Sequence, residues 1–408
     1  MKNLFMLSIA LFILINANAQ NCLPGYTEFS YQAQIDSFQV NNPGCTEIEG
    51  TISISGNDIS NLNGFNVLSS IGGSIYIYNN SNLTDLTGLD NLISVGGSIH
   101  IGDFQSGGNI NLTSLTGLKG LTSIGGDLEI SSNPHLDSLS ALENLAFIGG
   151  YLDINDNDDL TSLAGLEGVN AIGGALAIYE NFNLTSLSGL GNVTNVGGSF
   201  FINLNQNLES LSDLASLTSI GGNFLIGFNE SLIDLTGLDS LTSIGGGDLI
   251  IQMNNNLISL TGIDNIAEGS IEDLYILYNS SLSTCHVQSI CDYLASPNGI
   301  IDIQGNSAGC ASKQEVLAAC IFGLNDNNRT DNSINIYPNP SSEKITIEIT
   351  QPICQGELTI LNLNGRQLNT YEIIERMTTI DIRHLSVGIY FVKFISKNET
   401  RMFKVTKY

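Results

Sequence analysis

Apolar residues recur along most of the chain in a unit of 24 residues, lengthened to 29 in one step. Each unit opens with the tripeptide Ile/Val-Gly-Gly, which begins at Ile71, Val95, Ile124, Ile148, Ile172, Val196, Ile220 and Ile244. A short apolar–polar alternation follows the glycines, as in Leu128-Glu129-Ile130 and Leu152-Asp153-Ile154. Because successive side chains of a strand point to opposite faces, this period of two predicts a half-buried β-strand after each glycine pair.

The second half of each unit carries an apolar residue at every third position. One such series is Leu136, Leu139, Leu142, Leu145 and Ile148. An α-helix turns 100° per residue, so steps of three would spread these side chains around most of its surface. A turning coil with short 3₁₀ pieces fits the spacing better. Because one unit cannot bury its own leucines, we predict that the units stack into a parallel β-solenoid with a continuous apolar interior.

An asparagine follows each predicted strand. These residues are Asn57, Asn80, Asn109, Asn133, Asn157, Asn181, Asn205, Asn229, Asn254, Asn279 and Asn306. In a stacked solenoid their amides would form an internal ladder that bonds the turn backbones of neighbouring coils. A row of sugar- or metal-binding amides is the alternative. The glycine pairs are expected to supply either a positive φ or a close approach of two backbones at the turn into each strand.

Cysteines lie at both ends of the repeat array, where a solenoid must be covered. We expect an N-terminal cap at residues 20–50, with a helical stretch at residues 31–38, and a C-terminal cap at residues 284–320. In the latter, apolar spacing and the capping box Ser312-Lys313-Gln314-Glu315 predict two short helices. The disulfide candidates are Cys22, Cys45, Cys285, Cys291, Cys310 and Cys320. The four C-terminal cysteines allow three connectivities, and Cys354 stands alone.

The composition changes after residues 321–332, an Asn- and Asp-rich segment that is predicted to be a linker. Short alternating runs follow, and Asn364-Gly365 is a hairpin turn signal. The predicted strands are residues 344–349, 358–363, 379–383, 389–395 and 401–405. Residues 333–408 therefore predict a small antiparallel β-sandwich.

Residues 1–19 have the three parts of a secretory signal peptide. Lys2 gives a positive start, residues 4–15 are apolar, and Ala17-Asn18-Ala19 is a cleavage pattern. The apolar run is shorter than the about 20 residues that span a bilayer. We therefore predict a secreted or outer-surface protein with no transmembrane segment.

The repeat pattern, together with its cysteine-bearing ends, resembles leucine-rich repeats. It is most similar to the receptor L domain of insulin- and EGF-type receptors and its bacterial relatives. The resemblance covers roughly residues 22–320 and implies a right-handed solenoid, here residues 51–283, that binds proteins or other surface ligands. It transfers no catalytic residue to this chain.

The tail resembles the C-terminal sorting domain of the type IX secretion system. The residues that carry this resemblance are Ile336-Tyr337-Pro338-Asn339-Pro340, Asn364-Gly365-Arg366, residues 385–392, Lys404 and Lys407. It implies passage across the outer membrane, contact with the secretion machinery and removal of the tail. An ordinary Ig-like module is the alternative. The expected fold is thus mostly β, with a right-handed parallel β-solenoid and a small C-terminal antiparallel β-sandwich.

The charge of the chain is strongly acidic and unevenly distributed. The formal net charge is −27, and between residues 20 and 328 only Lys119 and Lys313 oppose 32 Asp and Glu residues. Such a body repels nucleic acid and anionic lipid, and it favours solubility or the approach of cations. We therefore expect no nucleic-acid partner.

Catalytic and metal-binding motifs are missing from the sequence. It contains no G-x-S-x-G, H-E-x-x-H or phosphate loop, so we predict no catalytic residue, no metal, no cofactor and no enzyme activity. Asp156-Asn157-Asp158-Asp159 is a weak calcium candidate without EF-hand spacing. Glu129 and Asp153 occupy equivalent outward positions one coil apart, so a carbohydrate-active β-helix enzyme is the first alternative.

Outward positions of the strands predict a binding face. Its candidate residues are Tyr76, Tyr78, Tyr179, Phe201, Leu225, Ile250 and Tyr275. The last four would form a contiguous apolar row, which commonly marks an interaction site unless another segment or a second copy covers it. We expect a binding or adhesion protein whose partner is a surface protein or glycan. A purely structural surface or matrix component is the second alternative.

Overall fold

A computed structural model describes residues 20–103, 105, 107–323, 334–349, 356–362, 366–396 and 399–408. The predicted signal peptide, most of the predicted linker and Cys354 lie outside the described residues. Within the described ranges, no helix is long and apolar enough to cross a membrane.

Each regular coil of the solenoid contributes one strand to each of two parallel sheets. In the described part of the chain, the nine-stranded sheet contains β1 Gln20–Cys22, β3 Cys45–Ile48, β5 Ser70–Ile71, β7 Ser94–Val95, β9 Ser123–Ile124, β11 Phe147–Ile148, β13 Ala171–Ile172, β15 Asn195–Val196 and β17 Ser219–Ile220. These strands were not predicted from the sequence, because a strand of two residues before a glycine pair is too short to show a period.

The predicted strands after the glycine pairs form the second sheet. Among the described residues this twelve-stranded sheet contains β2 Thr27–Phe29, β4 Ile52–Ile54, β6 Ile75–Ile77, β8 Ile99–Ile101, β10 Leu128–Ser131, β12 Leu152–Asn155, β14 Leu176–Tyr179, β16 Phe200–Asn203, β18 Phe224–Gly227, β19 Gly247–Gln252, β20 Ile271–Leu277 and β21 Ile301–Gln304. Ile130 aligns with Ile154, and the insertion near residues 102–108 leaves the register intact because Ile99 aligns with Leu128. A slip by one residue would turn every buried side chain outward, which fixes this alignment.

The leucines at every third position fill the interior. Leu139, Leu142 and Leu145 are each 0% exposed. Leu142 N–H donates to the Leu139 carbonyl at 2.9 Å, and Leu145 N–H donates to the Leu142 carbonyl at 2.8 Å, as in a 3₁₀ helix. The 3₁₀ helices of the described residues are Asn63–Phe65, Ser140–Leu142, Ser212–Leu214 and Glu268–Ser270. Burying a leucine contributes about 1.5–3 kcal/mol, so this continuous core drives stacking of the coils.

An internal asparagine ladder joins the coils, as predicted. Nδ2 of Asn157 donates to the carbonyls of Ile130 at 2.9 Å and Asn155 at 2.8 Å, and Asn157 N–H donates to Oδ1 of Asn181 at 3.2 Å. Asp156, which lies between strand β12 and Asn157, has a φ of 53°. The side-chain amide of Asn157 therefore closes a turn that contains a left-handed residue. The ladder satisfies buried backbone groups that would otherwise lack partners.

One residue assigned to the ladder does not belong to it. Asn57 is exposed, and the Gly56 N–H takes the ladder position by donating to Oδ1 of Asn80 at 2.9 Å. The ladder thus runs through Asn80, Asn109, Asn133, Asn157, Asn181, Asn205, Asn229, Asn254, Asn279 and Asn306.

The glycine pairs serve close backbone approach. A Cβ atom placed on Gly149 would lie 2.2 Å from the carbonyl oxygen of Gly125 in the preceding coil. Among the described pairs that open the repeats, only Gly245-Gly246 has positive φ. Of the two roles predicted for these residues, close approach is therefore the general one.

Disulfides hold both caps. Cys22 bonds to Cys45 beside helices α1 Gln32–Asp36 and α2 Phe38–Asn41. The C-terminal cap contains α3 Gln288–Ala295 and α4 Lys313–Gly323, and the cysteine pairs there are Cys285–Cys310 and Cys291–Cys320. Half of the predicted capping box forms. Ser312 Oγ accepts from the Glu315 N–H at 3.3 Å, whereas the Glu315 carboxylate accepts from the Gly309 and Ala311 N–H groups.

The tail is an antiparallel sandwich, as predicted. Within the described residues one sheet contains β22 Ile334–Tyr337, β23 Lys344–Ile349 and β26 Met377–Asp381, and the other contains β24 Gly356–Leu361, β25 Gln367–Ile373, β27 Gly388–Ser396 and β28 Glu399–Lys407. Ile347 and Val392, one from each sheet, share a separate core. Strand β26 begins two residues before its predicted start, and β22 and β25 were not predicted. Strands β24 and β25 pair as the Asn364-Gly365 signal indicates, although that turn lies outside the described residues.

Candidate functional site

The outward side chains of the twelve-stranded sheet form one continuous row across the coils. In register order the row is Glu28, Ser53, Tyr76, His100, Glu129, Asp153, Ala177, Phe201, Leu225, Ile250, Tyr275 and Asp302. Tyr78 and Tyr179 lie two residues further along their coils, on the same face. The face has two halves, because its N-terminal coils carry aromatic and ionisable side chains whereas its later coils carry apolar ones.

The apolar row occupies the later coils in the predicted order. Phe201 aligns with Leu225, Leu225 with Ile250, and Ile250 with Tyr275. All four residues are half-buried, since neighbouring strands about 4.8 Å apart pack their side chains against one another. The Tyr275 hydroxyl donates to Oδ2 of Asp273 at 3.0 Å, and this hydrogen bond raises the pKa of Tyr275.

A network around Glu129 occupies the N-terminal half of the face. Oε2 of Glu129 lies 2.8 Å from Nδ1 of His100 and accepts from the Tyr151 hydroxyl at 3.3 Å, and Oε1 accepts from Ser131 Oγ at 2.9 Å. The His100 hydrogen bond is the main reason that the pKa of Glu129 is lowered. The His100 ring stacks on Tyr76 with ring centroids 4.7 Å apart. The carboxylate therefore fixes the orientation of two rings on the sheet surface.

Asp153 has the opposite electrostatic environment. It aligns with Glu129 across the strand pair, and its Oδ1 accepts from Nδ2 of Asn155 at 2.7 Å. Burial is the largest cause that raises the pKa of Asp153 to about 6, and the negative charge of Glu129 adds to the effect. Burial and the Asp153 charge also raise the pKa of Tyr179 to about 12. Two carboxyls one strand apart thus hold their protons with different strengths.

A cleft of about 680 Å³ opens where the sheet meets the N-terminal cap. The residues that line it are Pro24, Gly25, Tyr26, Glu49, Gly50, Thr51, Ser53, Gly73, Tyr76, Tyr78 and Asp103. Tyr76 and Tyr78 belong to the predicted binding face. Tyr26, Glu49 and Asp103 were missed, because the first two lie in the N-terminal cap and the third lies in the insertion, where no repeat pattern indicates an outward direction.

In the acidic loop at residues 156–159, the calcium candidate, two side chains make contacts within the protein. The amide of Asn157 belongs to the ladder, and Oδ2 of Asp159 lies 3.0 Å from Nδ1 of His135. Among the described residues, no three His, Cys, Asp or Glu side chains are grouped as metal ligands.

Comparison with known families matches both parts of the chain. Residues 44–105 and 94–208 match the receptor L domain, and residues 335–407 match the secretion system C-terminal sorting domain. No curated protein matches the chain. The chain therefore carries a receptor L domain-like segment and a type IX secretion system sorting domain, and both predicted resemblances are confirmed. The sorting domain places the protein among those that are secreted or attached at the outer cell surface, and it interacts with the secretion machinery.

Proposed function

We propose that this is a non-enzymatic binding or adhesion protein that recognises a surface protein or glycan with the outward face of its twelve-stranded sheet. The observation that carries the proposal is the alignment of Phe201, Leu225 and Ile250 on three successive strands. A contiguous apolar patch on an exported protein is a typical interaction site.

The scaffold supports recognition because it holds this face rigid. The side chains of the apolar row stand on strands whose register is set by buried isoleucines and by the asparagine ladder. A preformed surface loses little conformational entropy on binding, so its apolar contacts translate more fully into affinity. Aromatic residues such as Tyr76, Tyr179 and Tyr275 are also the residue types that most often carry binding energy.

A carbohydrate-active enzyme is the second candidate, and one observation favours it. Glu129 has a lowered pKa and Asp153 a raised one, and such a divided pair can supply a base and an acid. However, three hydrogen bonds engage the Glu129 carboxylate, as expected for a structural role. If the wild type cleaves a carbohydrate and the Glu129→Gln and Asp153→Asn variants do not, the result would favour this candidate.

A binding screen tests the proposal. The full chain is applied to an array of glycans and surface proteins beside the Phe201→Asp, Leu225→Asp double variant. Ile233→Asp, Ile258→Asp is the matched control, because these two residues are each 53% exposed and belong to adjacent coils outside the apolar row. We expect specific hits that the first variant loses and the control keeps. An absence of hits, or hits that both folded variants retain, would favour a structural role.

A further inference from the structure

We propose that the cleft at the N-terminal end of the twelve-stranded sheet binds the ammonium or guanidinium group of a basic side chain on a partner protein. This inference rests on the proposed binding function and names the chemistry of one part of its surface. Three features of the cleft support it: its charge, its aromatic rings and a buried hydroxyl without a partner.

The charge of the cleft favours a cation. Glu49 and Asp103 line it, and no lysine or arginine is among the described residues that line it. Of the two lysines between residues 20 and 328, Lys119 is 2.9 Å from Oε1 of Glu143 and is therefore already paired. A concave site lined by one sign of charge focuses the field and raises the local concentration of the opposite charge.

The tyrosines supply ring faces for the same cation. One face of Tyr76 stacks on His100, so its other face is directed toward the preceding coil, where the aligned residue is Ser53. Ser53 and Tyr76 both line the cleft. Tyr26 and Tyr78 complete the wall of the cleft. A cation within about 6 Å of a ring centroid is attracted to the negative face of the ring.

The hydroxyl of Ser53 is an unused acceptor at this place. Ser53 is 1% exposed, lines the cleft, and its Oγ has no hydrogen-bond partner among the described residues. Leaving a buried hydroxyl unpaired is unfavourable, so a donor that enters the cleft relieves this loss. An ammonium or guanidinium group offers such donors. The cleft volume of about 680 Å³ also falls within the usual range of ligand sites.

A neutral sugar is the competing ligand, since it also stacks on tyrosines and bonds to carboxylates. It gains nothing from the field of a chain with a net charge of −27, whereas a basic side chain does. The charge distribution therefore favours the cation, and the test includes the sugar.

Isothermal titration calorimetry of the full chain distinguishes the basic side chain from the neutral sugar as the ligand. The probes are an end-capped tetralysine peptide, the same peptide with acetylated side chains, and a neutral tetrasaccharide. The cleft variants are Glu49→Gln and Tyr78→Ala. Their matched controls are Glu230→Gln, an exposed carboxylate outside the cleft, and Phe147→Ala, an exposed aromatic residue outside both the cleft and the predicted binding face. Thermal unfolding verifies that each variant folds.

We expect the lysine peptide to bind the wild type, with affinity at least five-fold lower in each cleft variant and within two-fold of wild type in each control. The acetylated peptide and the tetrasaccharide should not bind. Equal losses in Glu49→Gln and Glu230→Gln would show general attraction to an acidic surface and overturn the proposal. Binding of an uncharged probe as tight as that of the lysine peptide, or no binding at all, would overturn it too. Array hits that still depend on Phe201 and Leu225 would leave the proposed function standing in any of these cases.

Discussion

Glu129 and Asp153 are aligned on adjacent parallel strands, yet the pKa of Glu129 is lowered and that of Asp153 is raised to about 6. The difference arises because His100, Ser131 and Tyr151 donate to Glu129, whereas burial dominates at Asp153. The polar half of the sheet face thus carries two carboxyls with different proton affinities, and its charge changes in mildly acidic solution.

The raised pKa of Asp153 predicts a pH-dependent stability. The folded state holds this proton more tightly than the unfolded chain, whose carboxyl has a pKa near 3.8. The contribution of Asp153 to folding is therefore fully present below about pH 4 and is lost as the pH rises through about 6. After allowance for solvent screening, Asp153→Asn should raise the free energy of unfolding at pH 7 by about 1–2 kcal/mol. Urea unfolding of both proteins from pH 4 to pH 8 measures this, and parallel pH curves would contradict it.

The asparagine ladder predicts a large loss of stability at Asn181. Its Nδ2 donates to Ile154 and Tyr179, and its Oδ1 accepts from the Asn157 N–H, so Asn181→Ala leaves several buried backbone groups unpaired. We expect a loss of about 3 kcal/mol in the free energy of unfolding, measured by urea denaturation with disulfides intact.

The control for the ladder is Asn192→Ala. Nδ2 of Asn192 donates to the Glu167 carbonyl at 2.7 Å, but this bond is exposed and water replaces it. Its loss should cost less than about 1 kcal/mol. Similar losses in Asn181→Ala and Asn192→Ala would mean that the ladder does not hold the coils together.

Close backbone approach predicts that Gly149 cannot be replaced. A Cβ there would meet the Gly125 carbonyl oxygen at 2.2 Å, so Gly149→Ala must push two coils apart. We expect the free energy of unfolding to fall by about 3 kcal/mol, which is at the upper end of the range for an overpacked interior. A Cβ on Gly269 would meet nothing within 4 Å, so Gly269→Ala should unfold at nearly the wild-type temperature. Calorimetry of both variants gives the comparison, and an unchanged midpoint for Gly149→Ala would refute the role of the glycine pairs.

Much of the sheet face could be predicted from the sequence because its repeat is strict. A nearly constant step, 24 residues from Phe201 to Leu225 and 25 residues from there to Ile250 and on to Tyr275, keeps equivalent positions aligned, so their order follows from counting along the repeats. The same reasoning failed at Asn57, where the first coil has the residue type of the ladder but places Gly56 in its position.

Other features depend on residues that no period marks. The cleft combines Tyr26 from the cap with Asp103 from the insertion, and their proximity results from tertiary packing. The choice among the three disulfide connectivities of the C-terminal cap is likewise set by how α3 and α4 pack on the last coil. Neither arrangement can be predicted from the spacing of residues along the chain.

The measurement that tests the central claim most directly is the dissociation constant of the tightest array partner for three forms of the full chain. These are the wild type, Leu225→Asp and Ile233→Asp. The first variant places a new negative charge on the sheet face, and the second places the same charge on another surface of the solenoid. A recognition face centred on the apolar row predicts at least ten-fold weaker binding for Leu225→Asp and unchanged binding for Ile233→Asp. Equal affinity of the folded Leu225→Asp variant and the wild type would contradict the claim.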